Sequence, residues 1–498
     1  MSPRPVPALR PTARWPRRGR AGLTGLLLAA LAGEAAAGLA LTPCRIPGVS
    51  TEVQCGQLLR PLDPQRPQGP SITVQLAVLP ATARRKRADP VVFFAGGPGQ
   101  SAIGAAPQVQ GLMARLNTRR DLIFIDARGT GRSSPLRCPD DPPGRPAPPL
   151  STRFDPAAQL ARLRACLAGW SALPHGDPRF FATASATADV EAVRAALGLS
   201  QLNLVGVSYG SRAALDYLQR HPEHVRRVVL DGVAPPDLGL PYSQADDVEA
   251  ALDASLRACE QDGACARRLP ALRAQTRALL AAPPRARAVR DPLDGRSQAW
   301  SPTPEALRSL LRATLYTPLS AAGLPQALSD AAAGRYEGLL GLASMHGAAL
   351  SHRFGGLAEG PHFAVLCSED FLLGRASEAA EPYRSLCPDW PRAPVLPEPL
   401  RPSAVPVLML SGGIDPVTPP RHAARAAEAL GDKVRHLVAP QHGHGVLGTG
   451  CARPLLQRFL EAEDEAEALG PALKQATHCL AAMPRPPVYL PPELETRP

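Results

Sequence analysis

The chain has 498 residues, 45% of them hydrophobic, which excludes a wholly disordered protein and leaves ample material for a buried core. Pro (58) and Gly (42) together fall short of the ~25–30% share that marks a low-complexity sequence. The net charge is +11, but residues 1–37, with six arginines and one glutamate, supply +5 of it, and the only lysines are Lys86, Lys433 and Lys474. The densest basic run, Arg84-Arg85-Lys86-Arg87, sits between two strand-like segments and reads as a solvated loop, so no nucleic-acid partner is expected.

Arg17, Arg18 and Arg20 precede the apolar run Ala21 to Gly33, and small residues follow at Ala35-Ala36-Ala37. This is the order of a secretory signal peptide. The run is too short to span a bilayer. The expectation is a cleavable signal over 1–37, cut after Ala37 or Ala40, and a periplasmic or secreted protein without stable membrane association after cleavage. Ten cysteines fall in local couples: Cys44 and Cys55, Cys138 and Cys166, Cys259 and Cys265, Cys367 and Cys387, Cys451 and Cys479. In an exported chain these read as disulfides, and neighbour pairing is the simplest connectivity. No C-x-x-C occurs and no Cys/His spacing suits tetrahedral zinc, so neither metal nor cofactor is expected.

Ile72 to Leu79 alternates and is rich in β-formers, as in an edge strand. Val91 to Phe94 and Leu122 to Ile125 are short continuous apolar runs, the pattern of strands buried on both faces. The first ends in Gly96-Gly97-Pro98-Gly99 and the second at Asp126. A Pro-rich loop over 139–149 and helical patterns near 155–170 and 187–197 follow. Leu202 to Val205 is a third buried strand, Ser211 to Arg220 a helix, and Val228 to Leu230 a strand ending at Asp231. Strand–helix–strand alternation predicts an α/β fold with a mostly parallel sheet flanked by helices. From about 243 to 365 the period is largely helical. Strand rhythm resumes at Val405 to Leu410, followed by a helix near 420–430, a strand at Val434 to Val438 and a helix near 452–462. The chain therefore divides into a first core part over 38–240, a helical insertion over 241–402, and a second core part over 403–498.

Gly206-Val207-Ser208-Tyr209-Gly210 is a G-x-S-x-G sequence placed directly after a buried strand and directly before a helix. That context is the one a nucleophile elbow needs. A serine hydroxyl requires a base, and in an elbow fold the partners follow in the order Ser, acid, His. Asp415 stands on the loop after the strand 405–410, where open α/β sheets place their sites. Asp231, at an earlier strand end, is the second candidate acid. Gln441-His442-Gly443-His444-Gly445 follows the next strand; both histidines are candidate bases, with His444 preferred. An oxyanion hole needs two backbone donors. One is the N–H of Tyr209, the other that of Gly97, with Gly96 as the alternative.

These residues carry a family resemblance. Gly96-Gly97-Pro98-Gly99, Asp126-Ala127-Arg128-Gly129-Thr130-Gly131-Arg132-Ser133, the elbow, Gly413-Ile414-Asp415-Pro416-Val417-Thr418-Pro419 and Gly443-His444-Gly445 resemble the α/β-hydrolase superfamily. More narrowly they resemble its exported proline iminopeptidase and tripeptidyl aminopeptidase group, family S33. Ala95 stands where a histidine often opens the glycine motif. The resemblance implies an α/β-hydrolase fold with an inserted helical cap, and a serine aminopeptidase acting on small peptides with a free N-terminus. It also implies that cap carboxylates hold the substrate's amino end, for which Glu369 and Asp370 are the candidates. An ester or thioester hydrolase with the same triad, and a non-catalytic binding protein on this scaffold, are the competing expectations.

Overall fold

The computed structural model describes residues 39–139, 148–348, 357–393, 395–470 and 472–491. The expected signal over 1–37 and most of the Pro-rich loop lie outside them. The strands in chain order are β1 (Thr42–Cys44), β2 (Val53–Pro61), β3 (Ser71–Leu79), β4 (Val91–Phe94), β5 (Leu122–Ile125), β6 (Leu202–Val207) and β7 (Val225–Asp231). They continue with β8 (Arg287–Arg290), β9 (Ser297–Trp300), β10 (Val407–Gly412) and β11 (Val434–Ala439). Nine of them form one sheet in the order β1-β2-β3-β5-β4-β6-β7-β10-β11. β1, β2 and β3 run antiparallel to their neighbours, and from β5 onward every pairing is parallel. This is the α/β-hydrolase fold.

The continuous apolar runs are explained by two-sided burial. Val92, Phe94, Ile123, Ile125, Leu204 and Leu230 enter one hydrophobic cluster, while Val91, Phe93, Leu122, Phe124, Val205 and Val229 enter another on the opposite face. Ile72 to Leu79, expected at an edge, is interior instead: β2 pairs along the whole of β3, from Gln54 opposite Val78 to Pro61 opposite Ser71. The sequence of β2, VQCGQLLRP, mixes Gly and polar residues and is only partly buried, so no apolar period marks it.

The inserted region is helical but interrupted by the antiparallel hairpin β8–β9. Helices Leu240–Gln261, Pro304–Leu315, Pro318–Ala332 and Glu337–Ala348 supply most of a third hydrophobic cluster. The helix Glu359–Ser368 and residues up to Trp390 instead join the cluster beneath the sheet. Five disulfides join Cys44–Cys55, Cys138–Cys166, Cys259–Cys265, Cys367–Cys387 and Cys451–Cys479. Among the described residues no helix is long and apolar enough to cross a membrane.

Register places the site. Phe94 pairs with Gly206, Val207 with Asp231, and Asp231 with Leu410, so the C-terminal ends of β4, β6, β7 and β10 stand in one row. The loops leaving that row carry Gly96 to Gly99, Ser208, Gly232 and Asp415, and His444 follows β11.

Candidate active site

Ser208 stands between β6 and the helix Tyr209–Arg220 with φ of 57°, a left-handed conformation that side-chain-bearing residues rarely adopt. Its N–H donates to the Asp231 carbonyl at 2.8 Å. The flanking glycines are required by contact. A Cβ on Gly206 would stand 2.3 Å from the Gly210 carbonyl oxygen, and one on Gly210 would stand 2.0 Å from that of Phe94. The helix opens at Tyr209, so this N–H is one of the donors a helix start leaves unpaired within the helix. The glycine loop abuts the elbow: the Cβ position of Gly96 is 3.2 Å from the Ser208 Cβ. The N–H of Gly96 is already donated to Gln100 Oε1 at 3.2 Å, which favours Gly97 over Gly96 as a donor toward the site.

The structure brings His444 and Asp415 together. His444 Nδ1 donates to Asp415 Oδ2 at 2.8 Å, while Nε2 is buried and has no hydrogen-bond partner. The remaining capacity of Asp415 is filled by the N–H groups of Val417 (2.8 Å) and Thr418 (2.9 Å) and by the Thr418 hydroxyl (2.8 Å). Burial pushes the Asp415 carboxyl up, but His444 and these donors outweigh it and hold it below the usual range. Burial likewise opposes the imidazolium, yet Asp415 outweighs it and raises His444 above the ordinary histidine value. His444 Cε1 lies 3.0 Å from the Cβ position of Gly232, the residue after the one that accepts the Ser208 N–H. Imidazole and elbow thus both border the end of β7, at Gly232 and Asp231.

The histidine loop is fixed from two sides. Asp231 is not bonded to His444; its carboxylate accepts from Val446 and Leu447 N–H at 2.8 to 2.9 Å and so anchors the chain just beyond it. On the other side, the turn between helices Pro304–Leu315 and Pro318–Ala332 presents Tyr316. Its carbonyl accepts the His444 N–H at 2.8 Å, and its ring stands edge-on to the imidazole with centroids 4.6 Å apart. The His442 ring makes no hydrogen bond to the acid. Its Nδ1 is buried without a partner, and burial lowers its pKa.

Glu369 and Asp370 require a correction. They are 6% and 1% exposed and serve as internal counter-ions, not as an open amine anchor. Glu369 Oε1 accepts the Thr183 N–H at 2.8 Å, and Oε2 accepts the Thr183 hydroxyl at 2.9 Å and Arg212 at 3.4 Å. Asp370 pairs with Arg212 and accepts the Leu240 N–H at 3.2 Å. Burial, opposed by Arg212, pushes Glu369 up to about 7. Each of the four oxygens already accepts a bond from the protein, and burial leaves neither carboxylate open to a substrate ammonium.

Arg128 and Asp126, of the Asp126–Ser133 motif, and Thr418 have structural parts in the site that the sequence did not assign. Arg128 is buried in a bidentate pair with Asp189 (2.8 Å each) and also bonds the carbonyls of Leu62 and Phe180. Asp126 accepts from Ser101 Oγ at 2.6 Å and from Ile103 N–H at 3.0 Å, tying β5's exit to the helix after the glycine loop. The Asp-x-x-Thr spacing of Asp415 and Thr418 is an Asx-type turn and was the one available clue to Thr418. Among the described residues, Glu191, His221 and His224 lie close enough to share an ion. Both Glu191 oxygens are already taken by Arg194 and Tyr217, and a guanidinium beside the site opposes a cation.

Known proteins match this chain in two stretches. Residues 89–258 match the family described as alpha/beta hydrolase fold, and residues 376–467 the family described as TAP-like protein. The serine protease Hip1 of Mycobacterium tuberculosis is 33% identical over 223 residues, 42% of this chain and 41% of Hip1. The tripeptidyl aminopeptidase of Streptomyces lividans is 32% identical over 209 residues, 39% of this chain and 38% of the relative. The proline iminopeptidase of Neisseria gonorrhoeae is 31% identical over 144 residues, 29% of this chain and 32% of the relative. The matched segments thus span about two fifths of the first two relatives' length. With its sheet order, elbow and two matched segments, the chain has the α/β-hydrolase fold.

Proposed function

We propose that this protein is an exported serine peptidase of the aminopeptidase type, acting on small peptides with a free N-terminus. The observation that carries the reading is the bond from His444 Nδ1 to Asp415, which leaves the opposite ring nitrogen buried and unpartnered. Ser208 Oγ attacks the scissile carbonyl carbon while His444 Nε2 takes its proton. Asp415 fixes the Nδ1–H tautomer and stabilises the imidazolium. The N–H groups of Gly97 and Tyr209 receive the charge that develops on the carbonyl oxygen. The C–N bond then breaks, His444 returns the proton to the leaving amine, and water, deprotonated in turn by His444, releases the acyl group from Ser208. The helical insertion over 241–402 is read as a cap over this site, between the core parts 38–240 and 403–498.

The names of the relatives support a peptide substrate, and two of those names specify removal of amino-terminal units. Five disulfides fit an oxidising compartment and hence export. Glu369 and Asp370, buried against Arg212, are not assigned to the substrate's amino end in this reading.

A panel of free and N-blocked aminoacyl- and tripeptidyl-aminocoumarins, run beside p-nitrophenyl esters, tests the reading. Amide cleavage that depends on a free amino end is expected. Cleavage of esters alone would make the protein an esterase and overturn the peptidase assignment.

A further inference from the structure

Two N–H groups from remote parts of the chain must point at one oxygen if Gly97 and Tyr209 form the oxyanion hole. The pairing of Phe94 with Gly206 and the approach of Gly96 to Ser208 bring the two loops together. The helix Glu359–Ser368 touches the support of both. At its N-terminal end, the Ala358 N–H donates to the Gly99 carbonyl at 2.9 Å, and His362 Nδ1 donates to the Pro98 carbonyl at 3.2 Å. Burial lowers His362 to about 4, so the ring is neutral near neutral pH; with Nδ1 as the donor, Nε2 accepts from the Tyr383 hydroxyl at 3.4 Å. Immediately after its C-terminal end, Glu369 accepts both the N–H and the hydroxyl of Thr183. The Thr183 oxygen accepts in turn from the Tyr209 hydroxyl at 2.9 Å.

The helix itself is well fixed. Phe363, Ala364, Val365 and Leu366 are buried in the sheet's core cluster, and Cys367 is bonded to Cys387. Glu359 accepts the Cys138 N–H at 2.9 Å. Ten residues of helix rise about 15 Å, a rigid spacer between the two contacts.

We propose that the helix Glu359–Ser368 is a splint that sets the oxyanion hole, with His362 positioning the Gly97 loop and the Glu369–Thr183 pair positioning Tyr209. The inference rests on the hydrolase reading given above. It assigns Glu369 a part in positioning the catalytic amide instead of binding substrate.

The rate of labelling of Ser208 by a fluorophosphonate tests it, because the phosphoryl oxygen occupies the oxyanion hole and no peptide specificity is needed. His362→Leu and Thr183→Val each remove a hydrogen-bonding group at similar size. Each is expected to slow labelling by about tenfold or more, since donors shifted from the oxygen lose most of their effect. His362→Asn and Thr183→Ser keep a donor or hydroxyl and are expected to recover labelling to within about threefold of the unaltered protein. Unaltered rates in the Leu and Val variants would overturn the splint. So would equal losses in the conservative variants, or losses matched by a collapse of cooperative unfolding. Failure of the unaltered protein to label at all would instead refute the hydrolase reading on which the splint depends.

Discussion

Asp415→Asn separates the two candidate acids and has a magnitude that follows from the geometry. The carboxylate oxygen lies 2.8 Å from His444 Nδ1. A Coulomb attraction at that separation and an effective dielectric of ~20 is about 6 kcal/mol. The asparagine amide removes this charge from the imidazolium and permits the wrong ring tautomer, so kcat should fall by roughly four decades. KM should change little, because Asp415 is 1% exposed and surrounded by its own loop. Asp231→Asn is the matched control. Its oxygens hold Val446 and Leu447, so one charge-assisted bond is lost, costing about 1.5–3 kcal/mol of stability. Rates on an aminocoumarin substrate, with thermal unfolding run in parallel, read both effects. Turnover within tenfold of the unaltered protein for Asp415→Asn, or an equal collapse for Asp231→Asn, would refute the assignment of the acid.

Three further outcomes are expected. His444 acts as a base only when neutral, and Asp415 raises its pKa above 6.5. The kcat/KM profile should therefore lose activity as pH falls, with a midpoint above that value; a midpoint well below it would contradict the ion pair. Arg128→Met leaves Asp189 buried with only Arg60, at 3.0 Å, as a cationic partner, and should cost about 3 kcal/mol in chemical denaturation. An unchanged midpoint would deny the pair its structural part. In Gly443→Ala the new Cβ would stand 2.5 Å from the Tyr316 carbonyl oxygen. The strain should cost about 1–3 kcal/mol and displace His444, lowering kcat; a fully active and stable variant would show that the turn at Tyr316 does not fix the loop.

The fold was legible where burial is two-sided. The runs VVFF and LIFI carry no polar residue because both faces of the central sheet are covered, and this reads directly as buried strands. β2 was illegible for the converse reason: it is partly buried on an outer flank, so its side chains follow no apolar period, and β3 was misplaced at the edge in consequence. The G-x-S-x-G sequence was informative because its flanking strand and helix were themselves recognisable. Asp231 and Asp415 looked alike in sequence, each ending a strand; only the fold reveals that one carboxylate turns to the backbone of Val446 and the other to an imidazole. Glu369 and Asp370 misled because their neutralising partner, Arg212, lies on the elbow helix, 157 residues before Glu369. Tyr316 and His362 were invisible for the same reason, since their partners are brought to them by tertiary packing alone.

The central claim is that Ser208 is a nucleophile activated by His444. Intact-mass analysis and peptide mapping after exposure to a fluorophosphonate test it most directly. A single adduct on Ser208 is expected, absent in Ser208→Ala and strongly slowed in His444→Ala. An adduct on another serine, or undiminished labelling of Ser208 without the imidazole, would contradict it.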